Sequence, residues 1–337
     1  MESEQALENR TLLAGNVLAS VSGSGNLTLT GDDASNAVIV EKITGGIRVT
    51  GLADGDSAAT TVEGMNSIDF LGDDFVRGNM KVSMGDGDDE VFLKNLDMQK
   101  NVAVTLGDGA DLLDILNSSV GRNMKVDLGS AGMADADEFV TKNSTASGNV
   151  AVKGADGSQS IDYSNGSIDR KLTVNLGDGE DSLAIEFAGS QQLVANLGAG
   201  ADSVNLDSSS FDTNIKINLG SAPEMSADTV EILNAGPGKN LSIKGTDGTQ
   251  DVSVTNGAGQ KVNVNLGDGD DSLSLTNGGG RKKLTVNLGA GDDSLSLTNV
   301  LGGDLVFKAN GGSGTDSFLL FPGDSSSVKT KGFEIFT

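Results

Sequence analysis

Residues 261–277 read KVNVNLGDGDDSLSLTN, and residues 283–299 read KLTVNLGAGDDSLSLTN. The same phrase is written twice, with Leu266 and Leu288 lying 22 residues apart just before a Gly-x-Gly. Each copy holds an alternating apolar segment, an acidic glycine turn, a second alternating segment and a polar exit. Alternation over such short runs predicts half-buried β-strands, and the glycines predict a tight turn between them. A unit this small cannot bury its apolar face alone, but stacked copies can.

Working outward, the marker before the turn recurs at Met84, Leu106, Leu128, Lys153, Leu176, Leu197, Leu219, Lys244, Leu266, Leu288 and Gly311. The intervals are 21–25 residues, and half of them are 22. A second period overlies the first: Leu106 to Leu197, Leu128 to Leu219 and Lys153 to Lys244 each span 91 residues, or four coils. In each coil the residues at alternate positions are apolar, as in Met80, Val82 and Met84, in Val102, Val104 and Leu106, and in Ile215, Ile217 and Leu219. Alternate residues of a strand share a face, so these form one core column.

The expected fold is all-β: a single-domain parallel β-solenoid, or β-helix, with ~22 residues per coil. It is expected to be right-handed, because crossover connections between parallel strands overwhelmingly are. With coils ~4.8 Å apart, about 13 coils make a rod of roughly 60 Å. Residues 79–337 form its regular part, and residues 17–78 are expected to add degenerate coils. Residues 1–16 carry Ala6, Leu7, Leu12 and Leu13 among Glu, Gln and Arg without a β-branched run, which suits a short helical cap over the first coil.

Composition narrows the chemistry. Lys plus Arg number 23 against 48 for Asp plus Glu, a net charge of −25, which repels nucleic acid and anionic lipid and concentrates cations. No run approaches the ~18 apolar residues of a membrane span, and no signal-peptide pattern opens the chain. With neither Cys nor His, the usual nucleophile–base pairs and the zinc and copper ligands are absent. Any metal must be a hard, oxygen-loving one.

The turn is the informative site. Gly311-Gly312-Ser313-Gly314-Thr315-Asp316-Ser317-Phe318-Leu319 matches the nonapeptide G-G-x-G-x-D-x-U-x completely, and Leu266 to Ser274 matches it except for Leu in the first place. These turns resemble the calcium-binding RTX (hemolysin-type) repeat. The resemblance implies that glycines bend the loop, backbone carbonyls face inward, and the Asp closes an oxygen cage around Ca²⁺ between coils. On this chain that role falls on Asp89, Asp111, Asp181, Asp202, Asp271, Asp293 and Asp316. Asp86, Asp108, Asp178 and Asp268, within the same turns, are further candidate metal ligands. The chain departs from the family in carrying one motif per 22-residue coil rather than one per nine residues. The coils at 153 and 244 lack the Asp, and those at 128 and 219 carry an insertion before a possible equivalent, Asp137 or Asp228. At the other end, Leu7 to Ala14 resembles the LExRxLLA-type sorting segment of large repetitive surface proteins of planctomycete-type bacteria.

Electrostatics points the same way. Like charges at ~4 Å repel by ~1 kcal/mol in bulk water and several-fold more near a protein surface, so stacked acidic turns call for a counter-ion. Ca²⁺ suits the flexible all-oxygen geometry better than Mg²⁺. The alternative is that Asp-Gly and Gly-Asp are simply good turn formers. A basic stripe at Lys100, Arg122, Arg170, Lys171, Lys239, Lys261, Arg281, Lys282 and Lys283 precedes the first strand of each coil and is either solvated loop charge or one half of a lateral contact between rods. Asn95, Asn117, Asn277 and Asn299 recur at the exit of the second strand and suggest stacked Asn ladders.

Repetition specifies a shape rather than one pocket, so the expected function is structural and non-enzymatic. It fits a secreted or cell-surface fibre, stalk, adhesin or matrix component, rigidified by Ca²⁺ and self-associating into filaments, with surface polysaccharide as a further class of partner. A polysaccharide-active β-helix enzyme needs a unique carboxylate cluster and aromatic platforms, and only 12 aromatic residues are present. An ice- or ligand-binding solenoid needs flat Thr ladders, and pairs such as Thr276 with Thr298 are sparse.

Overall fold

A computed structural model describes residues 15–53, 59–72, 76–130, 136–222, 226–257, 259–277, 282–300, 305–320 and 329–336. The described residues contain no helix, and they wind into a parallel β-solenoid of about 10 turns. One coil shows the plan. The strand Val102–Asp108 runs into the glycine turn, Leu112–Leu116 returns, Asn117 makes a corner, and the two-residue strand Ser119–Val120 leads to the next coil at Met124. Val102, Val104 and Leu106 face Leu113, Ile115 and Val120 across the interior, and all six are buried. Each such side chain contributes about 1.5–3 kcal/mol by leaving water.

Like stacks on like. Val102 and Val104 pair with Met124 and Val126 in the next coil, and Leu113 and Ile115 pair with Phe139 and Thr141. The core is therefore a continuous column, and truncating one buried Leu is expected to cost about 2–5 kcal/mol. At the far end Phe333 packs on Phe318 with ring centroids 5.5 Å apart, and Phe318 on Phe307 at 6.2 Å, closing that column.

Two sequence expectations need correction, and a third lies almost wholly outside the described residues. The coil count is nearer 10 than 13, because residues 17–78 do not wind as coils throughout. Asn16–Val21 pairs antiparallel with Leu27–Thr30, Ala37–Ile43 with Gly46–Gly51, and Gly46–Gly51 with Ser67–Leu71. These hairpins lie on the first coil through Leu27–Thr30 against Met80–Ser83 and Ala37–Ile43 against Glu90–Lys94, both parallel. The expected helical cap at residues 1–16 falls almost wholly outside the described residues, and Asn16 itself opens a strand. Finally, the register marker slips by one in two coils. Gly154 and Gly245, not Lys153 and Lys244, occupy the inward position held by Leu elsewhere, and both are buried. The coils before them are 26 residues long, the offset between Asp111 and Asp137 and between Asn214 and Asn240.

Candidate functional site: a buried aspartate ladder

The glycine turn places one inward carboxylate in each acidic coil. In the turn after Leu106, Gly107 and Gly109 take φ of +133° and +150°, a region side chains rarely enter. A methyl on Gly107 would overlap the carbonyl oxygen of Gly85 in the coil below. Close stacking of the turns thus requires glycine. The chain leaves the turn with Asp111 pointing to the same side as Leu113 and Ile115.

The result is a ladder running the length of the rod. The Oδ1 atoms of Asp89 and Asp111 accept the backbone N–H of Asn36 (2.7 Å) and Asp89 (2.8 Å), each in the preceding layer. The pattern continues from Asp111 N–H to Asp137 (3.2 Å), Gln159 to Asp181 (2.8 Å), Asp181 to Asp202 (3.0 Å) and Asp202 to Asp228 (2.9 Å). It then runs from Gln250 to Asp271 (2.8 Å), Asp271 to Asp293 (2.9 Å) and Asp293 to Asp316 (3.0 Å). At the end Glu334 accepts the N–H of Asp316 at 2.8 Å. Each Asp therefore caps a backbone donor that the turn takes out of the sheet ladder.

Only half of each carboxylate is used in this way. All nine Asp residues are buried, and Oδ2 of every one lacks a hydrogen-bond partner among the described residues. Burial pushes the carboxyls upward, Asp111 to about 8, Asp89, Asp181, Asp202 and Asp271 to about 7, and Asp137 and Asp293 to about 6. Desolvation is the main cause, and adjacent rungs add to it: Asp89 and Asp137 both raise Asp111. Asp228 and Asp316 are also raised, again chiefly by burial. Burial and the neighbouring rungs both disfavour the charged form, so protonation or a compensating cation near each rung stabilises the folded ladder.

The structure brings together Asp89, Asp111, Asp181, Asp202, Asp271, Asp293 and Asp316 as rungs of one column. Asp86, Asp108, Asp178 and Asp268 are exposed on the outside of the turns and do not join it. Asp137 and Asp228 are full members, visible beforehand only through the Asp-x-Phe139 and Asp-x-Val230 spacing that opens each strand's apolar face, blurred by the insertions. Gln159 and Gln250 were missed altogether. They are buried rungs that replace Asp and divide the charges into three runs of three. Their environment explains the choice: a methyl on Gly154 or Gly245 would lie 2.6 Å from Oε1 of Gln159 or Gln250, so the longer amide occupies space that Leu fills beside Asp. This pairing predicts a double-mutant cycle. Gly154→Leu and Gln159→Asp are each expected to destabilise, and the double variant to recover part of the loss, with a coupling of about 0.5–3 kcal/mol measured by urea unfolding.

No group of three or more Asp or Glu converges on one point among the described residues. A hard cation there would take Oδ2 of adjacent rungs and draw the rest of its about six to eight oxygens from the turn carbonyls, such as that of Gly85, which points at the next coil. The unpartnered Oδ2 atoms fit that donor set. At Asp316 the Oδ2 leans into the space above Gly311 that Leu or Met holds in other acidic coils.

The remaining stripes are as expected in part. Lys100, Arg122, Arg170, Lys239, Lys261, Lys282 and Lys283 are exposed and Lys171 is half-buried, while Arg281 lies outside the described residues. Asn117 donates to Asn95 (3.2 Å) and Asn277 to Asn256 (3.1 Å), and Asn95, Asn117, Asn277 and Asn299 all adopt φ of +50° to +56°. No helix among the described residues is long and apolar enough to cross a membrane. Comparison of the chain with protein-family models, curated proteins and solved structures gives no match.

Proposed function

We propose that this protein is a structural repeat rod of the cell surface or extracellular space, held rigid by Ca²⁺ in its acidic turns and associating with copies of itself. The observation that carries the reading is the column of buried, unpartnered Oδ2 atoms, one per acidic coil, in turns that resemble the RTX repeat. Ca²⁺ would supply charge compensation and cross-link neighbouring coils. The rungs supply carboxylate oxygens, the glycines let the turns approach, and Gln159 and Gln250 separate the charged runs. The reading is non-enzymatic, because the carboxylates are repeated rather than gathered into one cleft.

Exposed acidic turns along one edge and an exposed basic stripe along another support lateral association, and Ser67–Leu71 leaves a sheet edge for end-to-end contact. Identical rods joined head to tail form an open filament. Sedimentation velocity in millimolar Ca²⁺ is expected to show concentration-dependent polymers that dissolve in chelator or high salt. A monomer at all concentrations in both buffers would contradict self-association.

A second reading is favoured by the raised carboxyl pKa values and by the hydrogen bond already made at each Oδ1. In it the ladder is neutralised by protons and the rod is metal-free. Isothermal titration at pH 8 separates the two: saturable Ca²⁺ binding with several sites per chain supports the first, and no heat supports the second.

A further inference from the structure

The two long sheets of the solenoid turn differently charged faces to solvent. On the first, built from strands such as Val102–Asp108, the outward residues ahead of the turn glycine form two rows along the rod. In one row Lys125, Lys216 and Lys308 stand on every fourth coil, with Ala151, Thr173 and Val194 between the first two. In the other row Lys153, Lys244 and Lys331 keep the same interval, with Asn175, Asn196 and Asn218 between the first two. At ~4.8 Å per coil the interval is about 19 Å. All six lysines are exposed. Among the described residues, the one carboxylate in these two rows is Asp127, which Lys153 reaches at 3.4 Å. Lys171, Lys261 and Lys283, two residues earlier on their strands than the first row, widen the face. The acidic turns form the next edge, beyond the glycines.

The returning strands carry the opposite charge on the opposite side of the core. Seven successive coils, from Leu112–Leu116 to Thr249–Thr255, each present one outward carboxylate. These are Asp114, Glu138 and Asp162, then Glu186 and Asp207, then Glu231 and Asp251. Lys142 is the one cation at the outward positions of these strands. Both faces are low. On the lysine side Asn196 donates to Asn175 and Asn218 to Asn196, and Asn287 donates to Asn265 and Asn310 to Asn287 at 2.7 Å each. These amides therefore reach along the rod to the neighbouring coil. On the carboxylate side, small residues such as Ser160, Ala184, Ser203 and Ser253 stand between the acids.

We propose that the lysine face of one rod lies on the carboxylate face of a second copy of this chain. The proposal rests on the self-association described above and assigns its surfaces. Charge complementarity selects this occupant, because each rod carries both halves of the contact on flat sheets of matching repeat. A single exposed ion pair contributes little, but a row of pairs in register steers the approach and fixes which sides meet. Like faces would set lysine against lysine or carboxylate against carboxylate, which is repulsive. The two faces look in opposite directions, so the contact is heterologous and does not close. Each added rod presents a fresh face, and the rods stack side by side into a layered array.

The test is sedimentation velocity of the full-length chain in millimolar Ca²⁺ at low salt, where the wild type is expected to form polymers that high salt disperses. Two paired variants, Lys216→Glu with Lys244→Glu and Glu186→Lys with Glu231→Lys, are each expected to weaken association by about tenfold or more. All four side chains are exposed, so the fold does not depend on them. Mixed in equal amounts, the two variants are expected to form a one-to-one complex. The untouched carboxylate face of the first then meets the untouched lysine face of the second, a rescue that a folding defect would not permit. Lys100→Glu with Lys239→Glu, on the basic stripe at the coil corner, is expected to have a smaller effect than either face pair. A wild type that stays monomeric overturns self-association and the proposal together. Wild-type polymers that persist in both face variants, a mixture that forms no complex, or a larger loss from the Lys100 and Lys239 pair overturns the proposal alone.

Discussion

Gly289→Ala is expected to destabilise the C-terminal coils by about 4 kcal/mol or more, among the larger effects of any single substitution. Gly289 has φ of +131°, and a methyl there would overlap the carbonyl oxygen of Gly267, with which it is in register. Neither problem is relieved by a rotamer change, since both neighbours are backbone. In a solenoid each coil contacts only the next, so the damage should stay local. Urea unfolding is expected to become two-phased, and limited proteolysis should cut near this turn while residues ahead of it stay protected. Ser296→Ala, on the outer face of the adjacent strand, should change stability by no more than about 0.5 kcal/mol. Equal behaviour of the two variants would mean that the turns do not stack as described.

The second large effect is on pH. An unfolded Asp titrates near about 3.9, whereas the ladder carboxyls are raised to about 6–8 when folded. Between these values the folded state holds more protons than the unfolded one, so stability falls as pH rises. The loss begins near pH 4 and is complete above pH 8. Without divalent cations the protein is thus expected to be markedly more stable at pH 5 than at pH 8, as judged by urea midpoints. Asp111→Asn, which keeps the Oδ1 acceptor for the N–H of Asp89 and removes the charge, should flatten the slope and stabilise the chelated protein at pH 8. A midpoint that rises from pH 5 to pH 8 would show that the ladder carboxyls are not held as described.

Much of this was legible in the residues. The coil length, the apolar column of Val, Leu and Ile, and the Asp at each turn exit follow from the period-2 alternation and the spaced glycines around Leu266 and Leu288. Alternation, however, is the same in parallel and antiparallel strands, so Val38-Ile39-Val40 and Ile47-Arg48-Val49 looked like coils and fold as a hairpin. Lys153 and Lys244 lie one residue before the inward position, which Gly154 and Gly245 conceal because, lacking side chains, they carry no apolar signal. Gln159 and Gln250 were invisible as rungs because a polar residue after a turn gives no sign of burial. The two-residue strands such as Ser119–Val120 are too short for any periodicity to register. Phe187 shows the opposite limit: its sequence is unremarkable as a strand exit, and only the backbone reveals that the corner is left-handed.

The central claim is that cations compensate the buried Asp column. Its most direct test is thermal unfolding followed by circular dichroism at pH 8, in chelator, in millimolar Ca²⁺ and in millimolar Mg²⁺. Ligand binding to the folded state alone raises stability by about 2.7 kcal/mol at a hundredfold excess over Kd for each site. A large Ca²⁺-specific rise in melting temperature is expected, larger at pH 8 than at pH 5 and reduced by Asp111→Asn. An identical melt in all three buffers would contradict the account and leave a rod whose carboxylates are kept neutral by protons alone.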